Sequence, residues 1–398
     1  MAMPGKFIET ELQRLNEAGL YRRLRRVDGD QGPTLVLDGK KVVNFSSNNY
    51  LGLANHSALR EAAKGAIDRY GCGSGASRLI SGNMTLHEEL EAKLAELKGT
   101  EAALVFNSGF QANVGIISTL IGEGDAVFSD ALNHASIIDG CRLSRAQVYV
   151  YGHADLQQLE DCLKQASASR RKLIVTETLF SMDGDEAPLK EIVDLAEKYT
   201  AMVMVDEAHA TGVYEPNGAG MVANLGLGDR VLVQMGTLGK ALGGFGAYVA
   251  GSAAFRELMI NRCRSFVFTT SLPPAVMAMG IAALDLVKKE PERRRALSDN
   301  CARLSAGLKA LGYSIANSRS QIIPLMVGDA DECMRLSEQL LERGIFAQGI
   351  RPPTVPPGTS RLRITVMATH TGEHLQRALH ALEEVGILHP LSSIRGPS

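Results

Sequence analysis

Short apolar runs rich in β-branched residues recur along the chain, and they restrict its fold more than any other feature. They stand at Ala102–Phe106, 126–128, Gln147–Tyr151, 173–176, 202–205 and 231–235. Helical patterns separate several of them, as at 156–166 and 189–199. A strand that is apolar along its whole length is buried on both faces, and intervening helices supply the cover. The pattern predicts an α/β fold built on a mostly parallel sheet. In such a sheet the carboxyl ends of the strands share one edge, which is where ligands bind.

Polar residues gather at those ends. Glu177 and Ser181 follow one run, and Asp206 and His209 follow the next. Lys240, set among glycines in Gly236-Thr-Leu-Gly-Lys-Ala-Leu-Gly-Gly244, follows the one after that. A lysine amine for an aldehyde and a carboxylate for a ring nitrogen are what pyridoxal phosphate needs. Alone, Lys240 reads better as a solvated lysine in a flexible loop, and the rest of the chain reverses that. Asn107-Ser-Gly-Phe-Gln-Ala-Asn113 opens a helix after another run, where free N–H groups attract a phosphate. Plain capping by Ser108 is the simpler account of it. His134 stands where an imidazole would lie flat on a conjugated ring, or would only cap a helix.

The chain changes character near Glu290-Pro291. A charged helical stretch at 292–311 leads to a strand at 321–327, a helix at 331–343, a strand at 361–367 and a last helix after Thr371. This predicts a small α+β domain over 291–398, beside a large domain over 49–290. Residues 1–48 read as an amphipathic helix, with Phe7, Leu12, Leu15 and Leu20 near one face, and then a hairpin around Asp38-Gly39. A proline-stiffened loop, 349–359, feeds a strand that carries Arg361 and Arg363 on one face, since side chains alternate. Arginine is the preferred fork for a carboxylate. One of the two fits an amino-acid substrate, and the other reads as an ordinary strand arginine.

Composition excludes several classes. A net charge of −2 over 398 residues gives no field for nucleic acid or an anionic membrane. No apolar run is long enough to span a bilayer, and Met1-Ala-Met-Pro-Gly-Lys-Phe7 lacks a signal-peptide core. The six cysteines are scattered without a Cys-x-x-Cys pair, which suits reduced thiols in a cytoplasm. Neither cysteines nor histidines have metal-ligand spacing, so no metal is expected.

The motifs together resemble one family, the α-oxoamine synthases, which are fold type I pyridoxal phosphate transferases. The resemblance runs from about Asn44 to the final helix. Its motifs are Asn44-Phe-Ser-Ser-Asn-Asn-Tyr-Leu-Gly-Leu53, Gly73-Ser-Gly-Ala-Ser-Arg78, Ser81-Gly-Asn83, Asp130-Ala-Leu-Asn-His-Ala-Ser136, Phe180-Ser-Met-Asp-Gly184, Asp206-Glu-Ala-His209, Gly236-Thr-Leu-Gly-Lys240 and Thr270-Ser-Leu-Pro-Pro274. Glu207 departs mildly, since some relatives carry a second aspartate there.

The resemblance implies roles. Lys240 would hold pyridoxal 5'-phosphate covalently, Asp206 would pair with the ring nitrogen, and Ser181 and His209 would contact the ring hydroxyl. His134 would stack on the ring, with Glu177 also at the cofactor. Ser108, Gly109, Phe110 and Thr237 would hold the phosphate. Thr269 and Thr270 would reach the phosphate of the other subunit in a homodimer with shared sites. Asn48 and Arg363 would face the amino-acid carboxylate, and Arg22 and Thr354 would touch substrate. Segments 77–83 and 350–359 are most similar to the branch that condenses L-alanine with a pimeloyl thioester, carried by CoA or acyl-carrier protein. Other branches join glycine to an acetyl group or serine to a palmitoyl group.

Overall fold

The computed structural model describes residues 5–214 and 217–388. Its large sheet has seven strands, in the order Ala102–Phe106, Ala247–Gly251, Val233–Thr237, Met202–Asp206, Lys172–Glu177, Ala126–Asp130 and Gln147–Tyr151. Neighbours run parallel, except that Ala247–Gly251 is antiparallel to the strands on both of its sides.

Alternation along each strand feeds two apolar layers. Leu173 and Val175 pack with Ile116, Ile117 and Phe266 on one face, while Ile174 packs with Leu159, Leu163 and Ile192 on the other. Full burial of such a side chain contributes roughly 1.5–3 kcal/mol. Continuously apolar strands are thus the signature of a sheet covered twice.

The strand expected at 231–235 lies at Val233–Thr237, because a 3-10 turn at Gly228–Arg230 occupies its approach. It therefore ends three residues before Lys240. The strand Ala247–Gly251 has no counterpart among the expected runs. Its small residues, Ala247, Ala250 and Gly251, and the glycines before it leave no long apolar run. Its first residue pairs with both Phe106 and Thr237, so the chain ends leading to Ser108 and to Lys240 flank it.

After the long helix Pro274–Lys289 come the helix Glu292–Ala310 and a three-stranded antiparallel sheet, Ile322–Gly328, Ser360–Thr365 and Gln348–Ile350. The N-terminal hairpin, Thr34–Leu37 with Lys40–Asn44, turns at Asp38 and Gly39, both at positive φ. It extends through the parallel pairing of Lys40–Asn44 with Ile345–Phe346, which ties residues from the beginning of the chain to the C-terminal part. The first helix forms at Lys6–Glu17 but buries none of its side chains, and Phe7 is 72% exposed. No helix among the described residues is long and apolar enough to cross a membrane.

Candidate active site

Asp206 closes its strand and is buried. Its Oδ1 accepts from the Ala208 amide at 2.9 Å and its Oδ2 from Asn113 Nδ2 at 2.8 Å. Asn113 lies on the helix Gly109–Leu120, which Ser108 caps by accepting from the Gln111 amide at 3.2 Å. The cap leaves the N–H groups of Gly109 and Phe110 at the helix start, facing the direction an anion prefers. Thr237 lies across Ala247 from them. Its hydroxyl donates to Gly246 O at 2.8 Å and accepts from the Gly239 amide at 3.1 Å.

A continuous polar chain starts at Lys240. Its Nζ is 2.8 Å from His209 Nε2, and His209 Nδ1 is 2.6 Å from the Tyr50 hydroxyl. Tyr50 donates to Asn48 Oδ1 at 3.1 Å, and both terminal nitrogens of Arg363 donate to the same oxygen at 3.2 Å. The proton directions then follow. Tyr50 spends its single proton on Asn48, so it accepts from His209 Nδ1, and His209 Nε2 accepts from Lys240. Gln321 Nε2 holds His209 from behind, donating to its carbonyl at 2.8 Å. Burial keeps His209 neutral by lowering its pKa well below the usual value, and the charges of Lys240 and Arg363 add to this. Burial also brings Lys240 down to about 8, against the pull of Asp206 and Glu177.

The lysine loop is itself constrained. Gly243 sits at positive φ, and a Cβ there would lie 2.5 Å from the Ala54 amide nitrogen. Only glycine fits that conformation and that approach.

His134 caps the helix Ala135–Ser144, its Nδ1 accepting from the Ser136 amide at 3.3 Å and the Ser136 hydroxyl at 2.7 Å. The rest of its ring lines an open cleft of about 610 Å³, with Phe180, Ser181, Asp183 and the proline loop Pro352 to Pro357. Capping and a ring-facing role are therefore compatible. Burial lowers the His134 pKa, opposed by Asp206 and assisted by Lys240.

Arg361 and Arg363 do share a face, and both are buried. Arg361 is committed to an ion pair with Asp183. Arg363 donates to Ser181 O at 2.6 Å and to Asn48, and has no carboxylate partner among the described residues. Arg22 and Thr354, far apart in sequence, meet at 3.2 Å over the exposed loop. Thr269 and Thr270 lie beside Asn107 of their own chain, whose Nδ2 donates to Thr269 Oγ1 at 3.3 Å and Thr270 O at 2.8 Å.

Tyr50, Asn113 and Gln321 complete the geometry and carry no signal of their own in the sequence. Tyr50 and Asn113 do lie inside runs singled out for other residues.

Two buried acceptors, Glu177 Oε1 and Asn113 Oδ1, have no hydrogen-bond partner among the described residues. With the free amides at Gly109 and Phe110, the neutral-leaning Lys240 and the doubly held Asp206, the residues fit an electrophilic, phosphate-bearing cofactor. Fold and site define a fold type I pyridoxal phosphate transferase. A family model, aminotransferase class I and II, matches residues 40–382. The chain is 55% identical to an 8-amino-7-oxononanoate synthase of Geobacter sulfurreducens, over 95% of this chain and 97% of that protein. A serine palmitoyltransferase of S. paucimobilis, solved with a pyridoxal phosphate–myriocin adduct, superposes with a TM-score of 0.91 at 34% identity, covering 96% of this chain and 98% of that one. A solved 8-amino-7-oxononanoate synthase from Francisella tularensis gives 0.75 at 29% identity, covering 87% and 98%. The chain belongs to the class I and II aminotransferase family and, within it, to the α-oxoamine synthases.

The two solved structures rank the same way by backbone and by sequence, and the relative from Geobacter sulfurreducens exceeds both in identity. A TM-score measures backbone placement, which a family shares across substrates. Side chains decide the reaction, so the 55% identity weighs more here.

Proposed function

We propose that the enzyme joins L-alanine to a pimeloyl thioester, releasing CO2 and the free thiol carrier and forming 8-amino-7-oxononanoate, a step of biotin biosynthesis. The observation that carries this reading is Arg363. A buried guanidinium without a carboxylate partner closes a polar chain that begins at Lys240. The carboxylate of an amino acid supplies the missing charge, and the relative from Geobacter sulfurreducens supports the rest by its name.

Pyridoxal phosphate, when bound, supplies an aldehyde for the amino group and a ring that accepts electron density from alanine Cα. Lys240 would hold the aldehyde between turnovers and, as a neutral amine, would take the Cα proton. His209 and Ser181 would contact the ring hydroxyl. Asp206, itself oriented by Asn113 and the Ala208 amide, would hold the ring nitrogen. The amides of Gly109 and Phe110, with Ser108 and Thr237, would hold the phosphate. His134 and Glu177 would bound the ring. Asn48 and Arg363 fix the carboxylate, while Arg22 and Thr354 meet the acyl donor at the mouth of the cleft. Cα then displaces the thiol from the acyl carbonyl, the carboxylate leaves as CO2, and a proton returns to Cα.

The working unit is a homodimer in this reading, with Thr269 and Thr270 reaching the partner's site. The uncovered apolar residues of the first helix, Phe7, Ile8 and Leu12, support an additional surface to bury. Six unpaired cysteines support a cytoplasmic location. The carrier is CoA or acyl-carrier protein. The test is thiol release over a matrix of alanine, glycine and serine with acetyl, pimeloyl and palmitoyl thioesters. Alanine with pimeloyl is expected to be fastest. Preference for serine with palmitoyl, or glycine with acetyl, overturns the assignment.

A further inference from the structure

Glu177 ends the strand Lys172–Glu177 and pairs in register with Asp206, which ends the next strand. Neighbours in register project to the same face of a sheet, so two carboxyl groups stand side by side. They are 3% and 5% exposed. Two buried carboxyls this close do not both ionise without a large penalty.

The hydrogen bonds say which one gives way. Both Asp206 oxygens have a donor, Ala208 N and Asn113 Nδ2. Glu177 Oε1 has none. Its main chain is nevertheless held firmly. The Glu177 amide donates to Asn133 Oδ1 at 3.1 Å, and Asn133 Nδ2 donates in turn to Val175 O at 2.8 Å and Ser129 Oγ at 2.9 Å.

We infer that Glu177 is a positioning residue that stays a neutral carboxylic acid, so that Asp206 alone carries negative charge at this point of the sheet edge. This rests on the reading of the site as a pyridoxal phosphate centre. The groups around Glu177 agree. Burial and then Asp206 push its pKa up to about 8, against Lys240 and the backbone amides of His134 and Ser181. Those amides belong to the two residues placed against the cofactor ring. Loss of the Glu177 proton would set a second negative charge beside Asp206.

The first test needs neither cofactor nor turnover. Infrared spectra of the cofactor-free protein at pH 7 should contain a carboxylic-acid band that is absent in Glu177→Gln. In the wild type that band should fade as pH rises past about 8. The second test is the affinity for pyridoxal phosphate. It should weaken in the wild type by up to about tenfold per pH unit above that point, as for a one-proton linkage, whereas Glu177→Gln, which keeps an acceptor but cannot titrate, should show a shallower trend. If Glu177→Gln fails to fold, the wild-type band alone remains decisive. No carboxylic-acid band at pH 7, a band that persists in Glu177→Gln, or identical alkaline weakening in both proteins overturns the inference. Each of these results is independent of which acyl donor the enzyme prefers.

Discussion

Lys98 and Lys240 both serve the turn Asp206-Glu-Ala-His209, and the contrast between them explains the site. Lys98 is completely buried and pairs with Glu207, which is equally buried, while also donating to Ala219 O. Lys240 touches His209 and forms no ion pair among the described residues. Desolvation disfavours both ammonium forms. At Lys98 the adjacent Glu207 outweighs it and the pKa is raised. At Lys240 the carboxylates stand further off and the pKa falls to about 8. Burial alone does not make a lysine a nucleophile. The distance to its carboxylate decides whether it is a structural cation or a usable amine.

The largest expected effect breaks the contrast at its chemical end. Lys240→Ala removes both the covalent anchor and the base, and kcat should fall by about 10⁴-fold, the upper range for a proton-transfer group. Melting temperature should not fall, and at neutral pH it should rise, since the desolvated ammonium of Lys240 destabilises the fold there. Lys98→Met should do the reverse. It strands Glu207 in the interior and should destabilise the fold by about 3–5 kcal/mol, read by denaturant unfolding. The double variant Lys98→Met/Glu207→Leu should recover most of that loss. Equal loss in single and double variants would mean that packing, not charge, is at stake.

Arg363→Ala acts at the far end of the polar chain. Losing a buried charged fork should weaken alanine binding by about 2–5 kcal/mol, while the bound cofactor's visible absorbance persists. Unchanged alanine affinity would shift the carboxylate site to another cation. Asn113→Ala is smaller. It deprives Asp206 Oδ2 of its donor and should cost about 1–3 kcal/mol in cofactor affinity.

The finest effect is a pH slope in the stability of the cofactor-free protein. The folded-state pKa of Lys240 is about 8, below its ordinary value of 10.5. The unfolded chain therefore binds more protons between those values, and stability should rise with pH there by on the order of 1 kcal/mol per unit. Lys98, whose pKa is raised, contributes with the opposite sign, because its stabilisation is lost as pH climbs through its folded value. Lys240→Met should abolish the Lys240 part of the slope. A slope unchanged in that variant would contradict a desolvated amine.

Much of this was legible in the sequence because a doubly covered sheet leaves a one-dimensional record. Ala102–Phe106 coincides with an apolar run that is buried, and the polar residues after the central strands meet at one edge. Gln147–Tyr151 also coincides with a run, but as the edge strand it leaves Val148 and Val150 exposed, so the expected double cover fails there. What was not legible depends on long-range partners. No local pattern says that Arg361 meets Asp183 while Arg363 stays without a carboxylate partner, although the two alternate on one strand. Nor does it say that Tyr50 bridges His209 to Asn48, or that Gln321, from the small domain, holds the His209 carbonyl. The strand Ala247–Gly251 was hidden by its small residues and flanking glycines. The apolar stripe of the first helix was visible, but the described residues bury none of it.

The central claim is that the amine poised for the cofactor belongs to Lys240 and not to Lys98. Borohydride treatment of the pyridoxal phosphate-loaded protein, followed by peptide mass mapping, tests it directly. The account predicts one stoichiometric reduced pyridoxyl group, on Lys240, with Lys98 unmodified in the same digest. A label on Lys98 or another lysine, or no label after loading, would contradict it.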